Sequence, residues 1–206
     1  MMSMSCMEKL VDQLYGHGVV LIGEFKLSSG IKSPYYIDLR RIYSYPKLFK
    51  DIIKLYLKTL NSIEGKFDII VGIETGSIPI ASVLSYIMGR PMAYVRKTTK
   101  EYGTEKLIEG SIDPEDRCII VDDVATTGRS IARAATILRS LNAKVDYAVV
   151  FIDREQGAEK VLDNMGIKLL SILKVSRLLE ILWRLKLINR NTYLSILSYM
   201  GRSGGE

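Results

Sequence analysis

The stretch Cys118-Ile119-Ile120-Val121-Asp122-Asp123-Val124-Ala125-Thr126-Thr127-Gly128-Arg129-Ser130 decides the fold. An apolar strand ends in two adjacent acids, and a small, hydroxylated turn then opens a helix whose buried positions continue at Ile131, Ala135 and Leu138. At the carboxyl end of a parallel strand, such a turn aims backbone N–H groups and hydroxyls at one point, with the positive end of the helix dipole behind them. A phosphate fits there. The two carboxylates beside it would repel the phosphates of a nucleotide, but they suit the vicinal hydroxyls of a ribose, or a Mg²⁺ bridging sugar and pyrophosphate oxygens. Phosphate below and diol above describe a ribose 5-phosphate. The plainer alternative, that Asp122 and Asp123 merely cap the helix, needs only one acid.

On either side of this stretch, strands alternate with helices. Strands are expected at Asp68–Val71, Met92–Arg96, Arg117–Val121 and Val145–Ile152, with helices at Ile78–Met88 and Thr127–Leu141 between them and an earlier helix from Pro46 to about Leu60. That alternation predicts an α/β fold with a parallel sheet covered on both faces. Upstream, Met7, Leu10, Val11 and Leu14 recur at helical spacing until Gly16 and Gly18, after which Val19–Ile22 and Tyr35–Leu39 read as extended. Downstream, the leucine-rich run from Ile167 to Ile188 reads as one amphipathic helix, and Gly201 to Glu206 as a disordered end. Ile69 to Gly89 carries a single charge, Glu74, yet Gly72, Thr75, Gly76, Ser77 and Pro79 interrupt it, so it reads as strand, loop and helix and not as a membrane span. With no repeat or low-complexity linker, the chain reads as one domain over 1–206: a small N-terminal hood to about 45, a core from about 46 to 182, and a helical tail over about 175–200.

Composition narrows the function. The chain has 206 residues, 48% of them hydrophobic and 25% charged, which excludes disorder and leaves enough chain to bury a core without metal or disulfides. Cys6 and Cys118 have no metal or redox spacing and read as free thiols in a reducing cytoplasm. The one histidine, His17, lies between glycines and reads as a turn residue, so a zinc site built on several histidines is excluded. An excess of 29 Lys and Arg over 23 Asp and Glu, net +6, suits an anionic partner. No dense basic tract or RNA-binding aromatic motif points to nucleic acid, and Glu8, Lys9 and Asp12 stand where a signal peptide needs an apolar core. No Walker-type loop and no Gly-x-Gly-x-x-Gly after a strand supports a kinase or a dehydrogenase.

Val121 to Ser130 resembles the hallmark of the type I phosphoribosyltransferases, two acids and a Thr/Gly-rich turn that bind 5-phosphoribosyl 1-diphosphate. Three further segments resemble the orotate phosphoribosyltransferases in particular: Phe25-Lys26-Leu27-Ser28-Ser29-Gly30-Ile31-Lys32-Ser33-Pro34-Tyr35-Tyr36, Arg96-Lys97-Thr98-Thr99-Lys100-Glu101-Tyr102-Gly103, and Asp153-Arg154-Glu155. Their order and spacing match across roughly residues 8 to 182. The resemblance implies transfer of the phosphoribosyl group to orotate, giving orotidine 5'-monophosphate and pyrophosphate in pyrimidine synthesis. It also implies Mg²⁺ held mainly by substrate oxygens, with no direct protein ligand, and a homodimer whose catalytic loop serves the neighbouring subunit.

Carried over position by position, the resemblance has Asp122 and Asp123 hold the ribose hydroxyls while Ala125, Thr126, Thr127, Gly128, Arg129 and Ser130 wrap the 5'-phosphate, with Val124 also on the donor. Thr75 and Gly76, in the turn Ile73-Glu74-Thr75-Gly76-Ser77, would receive the pyrophosphate, since small residues let backbone amides approach it. Arg96, Lys97 and Lys100 would be catalytic, neutralising charge as pyrophosphate leaves, with Tyr102 beside them on the donor. Thr126, Arg154, Tyr36 and Ile37 would contact orotate. A guanidinium just past the strand Val145–Ile152 can hold a carboxylate bidentately, or else pair with Asp153 or Glu155. Two departures stand out: Tyr102 where the family often has His, and Ser28 where some members have Lys. The competing readings are the same fold acting on a purine base, and a regulator that senses the donor without catalysis.

Overall fold

The computed structural model describes residues 5–26, 32–98 and 107–203. The elements are α1 (Cys6–Gly16), β1 (Val20–Lys26), β2 (Lys32–Ile37), α2 (Pro46–Asn61), β3 (Ile69–Ile73), α3 (Ile78–Met88), β4 (Met92–Val95), β5 (Ile108–Glu109), β6 (Arg117–Ala125), α4 (Arg129–Arg139), β7 (Lys144–Asp153), α5 (Ala158–Asp163), β8 (Lys168–Lys174), α6 (Val175–Arg184) and α7 (Arg190–Ser203). Contacts divide the chain into two compact units, one of Ile53–Ile172 and one of Met1–Ile52 with Leu173–Glu206.

The first of these units is built on a six-stranded sheet of order β5-β4-β3-β6-β7-β8. β3 pairs parallel with β4 and β6, and β6 parallel with β7, while β5 returns antiparallel on β4. From β3 the chain moves outward one way through α3, and from β6 it moves the other way through α4. Right-handed crossovers therefore place α3 and α4 on opposite faces. The alternation of buried side chains agrees: Val71, Ile73, Ile120 and Val150 cluster with Ile131, Ala135 and Leu138 of α4, whereas a Cβ at Gly72 would lie 3.1 Å from Ala81 of α3. β3 is buried along its whole length, which is why it reads as an unbroken apolar run. The divergence point between β3 and β6 is where ligands bind in sheets of this kind.

Several expected boundaries move, each for a local reason. β6 does not end at Val121 but keeps pairing with β7 as far as Ala125 opposite Asp153, so both acids lie within the strand and α4 starts only at Arg129. The run from Ile167 to Ile188 is not one helix: Lys168–Lys174 forms the edge strand β8, and the helix begins at Val175. The helical spacing in that run is carried by Leu178, Ile181, Leu182 and Leu185, all beyond Lys174, so it never extended to the first half. Of the end expected to be disordered, Gly201 to Ser203 instead continue α7, and 204–206 lie outside the described residues. The stretch that mimicked a membrane span is β3, a turn and α3, and among the described residues no helix is long and apolar enough to cross a membrane.

The other unit joins the two chain ends. Ser5 caps α1 with a reciprocal box, its Oγ accepting from Glu8 N at 3.2 Å while its own N–H donates to Glu8 Oε2 at 2.7 Å. α1 packs on α6, where Arg184 Nη2 lies 3.2 Å from Glu8 Oε1. β1 and β2 form an antiparallel hairpin against which α7 packs, Tyr199 meeting Tyr35 edge-on at 6.4 Å. His17 follows α1 in a turn, as its glycine neighbours predict, and its ring stacks on Tyr45 at 3.9 Å.

Candidate active site

The carboxyl ends of β3 and β6 lie side by side and carry the two turns singled out in the sequence. On β6, Asp122 is buried; its Oδ1 accepts from Asp123 N at 3.1 Å and its Oδ2 from Ser130 Oγ at 3.3 Å. Burial, reinforced by the neighbouring Asp123 carboxylate, holds the Asp122 carboxyl well above the ordinary carboxylate range, and the Asp123 N–H and the Ser130 hydroxyl offset only part of that. Asp123 is half-buried and accepts from Val124 N at 2.8 Å. Behind both acids, Tyr56 of α2, fully buried, donates its hydroxyl to Asp122 O at 2.7 Å.

Past the acids, Ala125 is buried, Thr126 half-buried and Thr127 exposed, and Gly128 leads into α4 with φ of 76°. Gly128 is required twice over: the positive φ disfavours side chains, and a Cβ would stand 3.1 Å from Ala158 Cα. Arg129 and Ser130 occupy the first turn of α4, where N–H groups have no intrahelical acceptor and face outward with the dipole's positive end.

From β3, the turn Glu74–Ser77 approaches the acids directly. A Cβ on Gly76 would overlap Asp123 Oδ2, so this turn and the carboxylate pair are neighbours through glycine alone. The Glu74–Thr75 peptide is cis. Ser77 is fully buried, its Oγ donating to Ile73 O at 2.8 Å and accepting from Ile73 N at 2.6 Å, which closes the turn onto its own strand.

Arg154 follows β7; its side chain is buried and its N–H donates to Ala125 O at 2.9 Å, bringing its backbone to the start of the Thr126–Ser130 turn. Arg96 and Lys97 leave β4 next to β3; Arg96 Nη1 lies 3.5 Å from Glu109 Oε1, and Lys97 is exposed. The structure thus gathers Asp122–Ser130, Thr75, Gly76, Arg154 and the Arg96–Lys97 root within one unit. Tyr36 and Ile37 lie on β2 of the other unit, paired with Leu21 and Val20. Lys100, Tyr102 and Ser28 fall outside the described residues. Sequence reasoning missed Tyr56 and Arg133, and it singled out the turn holding Glu74 and Ser77 without giving either a role of its own, though Ser77, a hydroxyl just before a helix, carried a recognisable signal.

Among the described residues, no three His, Cys, Asp or Glu side chains group as metal ligands. The oxygen donors present are the Asp122 and Asp123 carboxylates. They fit a hard cation such as Mg²⁺ that takes one or two carboxylates and completes its shell with phosphate oxygens and water.

At the strand-order divergence, the Thr126–Ser130 turn, the Asp122–Asp123 pair and the small-residue turn at Gly76 stand together, the arrangement expected of a phosphoribosyltransferase site. The family described as "Phosphoribosyl transferase domain" matches residues 38–174. The orotate phosphoribosyltransferase of Sulfurisphaera tokodaii is 41% identical over 190 residues, 92% of this chain and 96% of that one. Among solved structures, the orotate phosphoribosyltransferase of Aeropyrum pernix superposes with a TM-score of 0.76 at 35% identity, covering 87% of this chain and 99% of that one. The UMP synthase of Leishmania donovani superposes with a TM-score of 0.84 at 31% identity; the match covers 96% of this chain but only 43% of the Leishmania chain. The chain belongs to the phosphoribosyl transferase family, and within it to the orotate phosphoribosyltransferases.

Proposed function

We propose that the protein transfers the 5-phosphoribosyl group from 5-phosphoribosyl 1-diphosphate to orotate, forming orotidine 5'-monophosphate and pyrophosphate in pyrimidine biosynthesis in the cytoplasm. The observation that carries the reading is the order of parts at the strand ends. The α4 turn Thr126–Ser130, the acids Asp122 and Asp123 and the Gly76 turn follow one another. That is the order of 5-phosphate, 2,3-diol and 1-diphosphate along the donor, in which the leaving group sits next to the diol and away from the 5-phosphate.

Asp122 and Asp123 orient the ribose, the first-turn N–H groups of α4 fix the phosphate, and the Gly76 turn receives the diphosphate. The bond from the anomeric carbon to the diphosphate breaks as the orotate ring nitrogen attacks. Arg96 and Lys97 neutralise the charge growing on the departing oxygens, where cations placed in advance contribute most. Mg²⁺ would be held mainly by substrate oxygens, with Asp122 and Asp123 the protein carboxylates available to it, and would supply further positive charge to the departing diphosphate. No strong side-chain base is needed, because the orotate ring N–H loses its proton readily. Arg154 holds the orotate carboxylate with its planar fork.

The test is pyrophosphate release from the donor with orotate, uracil, hypoxanthine and adenine as parallel acceptors. Release with orotate alone is expected; turnover with a purine base would move the assignment to another branch of the family. In the same assay, Arg154→Ala is expected to raise the KM for orotate about tenfold or more, the cost of one charge-assisted contact, with little change for the donor. Equal weakening of both ligands would make Arg154 structural.

The reading extends to a homodimer in which the loop beyond Lys97 serves the partner's site. Lys100→Ala is expected to lose about a hundredfold in kcat, as for other preorganised charges. Mixed with a folded Asp122→Asn, Asp123→Asn protein under conditions of subunit exchange, it regains activity, because one site per heterodimer then has both a wild-type loop and wild-type acids. Exchange without recovery would place the loop in its own subunit's site.

A further inference from the structure

The peptide between Arg96 and Lys97, where β4 gives way to the polar loop, is held at both polar ends. Its carbonyl, Arg96 O, accepts from Arg133 Nη1 at 2.9 Å, and its amide, Lys97 N, donates to Glu74 Oε2 at 2.8 Å. Arg133 Nη2 also donates to Lys97 O at 2.9 Å, so one guanidinium spans two successive carbonyls. The root is closed on its other side by Arg96 N donating to Leu107 O at 2.8 Å. Neither Glu74 nor Arg133 is needed by the fold for this: the β4 pairing with β3 and β5 is complete through backbone bonds.

We infer that Glu74 and Arg133 are positioning residues for the reaction, which together fix the direction in which the Arg96 and Lys97 side chains leave β4. The inference rests on the reading of Arg96 and Lys97 as the cations that meet the departing pyrophosphate. The anion grips the positive pole of the peptide dipole and the cation grips the negative pole, so the plane cannot turn without breaking charge-assisted bonds. Each clamp also belongs to an element that faces the ligand. Glu74 opens the turn containing Gly76, and Arg133 lies in the second turn of α4, one turn past the N–H groups read as fixing the phosphate. The loop root is thereby referenced to the diphosphate turn and to the phosphate helix at once. That is what two cations need if they are to meet charge that develops between those two places.

Because Arg133 is exposed and Glu74 only half-buried, these bonds add little to global stability, so their removal separates positioning from folding. The experiment compares Glu74→Ala, Glu74→Gln, Arg133→Ala and Arg133→Lys with the wild type in steady-state kinetics, thermal unfolding and hydrogen exchange at the Lys97 amide. Glu74→Ala and Arg133→Ala are expected to lower kcat about tenfold, with KM for orotate within about twofold of wild type and unfolding unchanged. Glu74→Gln keeps an oxygen acceptor and recovers most of the kcat, and Arg133→Lys, with one ammonium in place of the fork, falls between. The Lys97 amide exchanges faster in Glu74→Ala and is protected again in Glu74→Gln. Wild-type kcat in both alanine variants overturns the inference, as does a Lys97 amide that exchanges equally in wild type and Glu74→Ala. If the wild type releases no pyrophosphate with orotate, the proposed reaction fails. The amide exchange then still decides whether Glu74 holds the loop root.

Discussion

Asp122→Asn combined with Asp123→Asn is expected to weaken donor binding roughly 30- to 2,000-fold, the equivalent of losing one charge-assisted hydrogen-bond set at Asp123 (about 1.5 to 3 kcal/mol) and one neutral set at Asp122 (about 0.5 to 1.5 kcal/mol). The protein should stay folded. Asn is close in shape to Asp, and the bonds Asp122 makes, from Asp123 N and Ser130 Oγ, can be made to an amide oxygen and by an amide nitrogen. Stability should in fact rise at Asp122. Burial and the Asp123 charge raise its carboxyl above the unfolded value, so the folded chain holds that proton more tightly than the unfolded chain does. The stabilisation is complete below the ordinary carboxylate pKa and drains away as pH rises through the raised value. Asn at this position removes the drain. Thermal unfolding of Asp122→Asn should therefore match wild type in acid and exceed it increasingly as pH rises, while donor affinity falls. A folded double mutant with wild-type donor affinity would end the diol assignment. A single mutant less stable than wild type at alkaline pH would show that the acid serves the fold.

The same residues explain how much of this was legible in the sequence. Four β-strands and the helices between them could be placed because strands buried on both faces are continuous apolar runs, and α3 because Gly, Ser and Pro precede a long apolar segment. The acid pair and its turn were legible because chemistry concentrated in a short span leaves a local pattern. Strand β8 was misread because Lys168–Lys174 pairs at a sheet edge, and its ladder partner β7 lies many residues upstream. The extension of β6 through Asp122 and Asp123 was missed for a similar reason. Acids suggest a turn, but pairing with Val150 and Ile152 of β7 carries the ladder past them. The support shell was invisible altogether. Tyr56 reaches Asp122 O across 66 positions and Arg133 reaches Arg96 O across 37. A tyrosine or arginine on an amphipathic helix carries no mark of what it will touch.

Gly76→Ala is expected to cost about a hundredfold in kcat/KM for the donor, the scale of a misplacement of about 1 Å at a reacting centre. Conformational freedom is not the reason, because the Gly76 backbone does not adopt a positive φ. The reason is space: the added methyl would overlap Asp123 Oδ2. With the donor placed as proposed, either the carboxylate swings away and the ribose loses an acid, or the turn retreats and the diphosphate loses its amides. Both displacements act on the donor and leave Arg154, held after β7 by its bond to Ala125 O, in place. Orotate KM should accordingly change by less than about threefold while donor KM or kcat carries the loss. The two routes separate on a second substitution. With Asp123→Ala in the same chain the overlap disappears, so Gly76→Ala should add almost nothing to Asp123→Ala if the clash with the carboxylate is the whole effect, a strong departure from additivity. Full additivity would mean that the methyl blocks the diphosphate itself. Wild-type kinetics in Gly76→Ala alone would show that β3 and β6 do not meet at this point when the donor is bound.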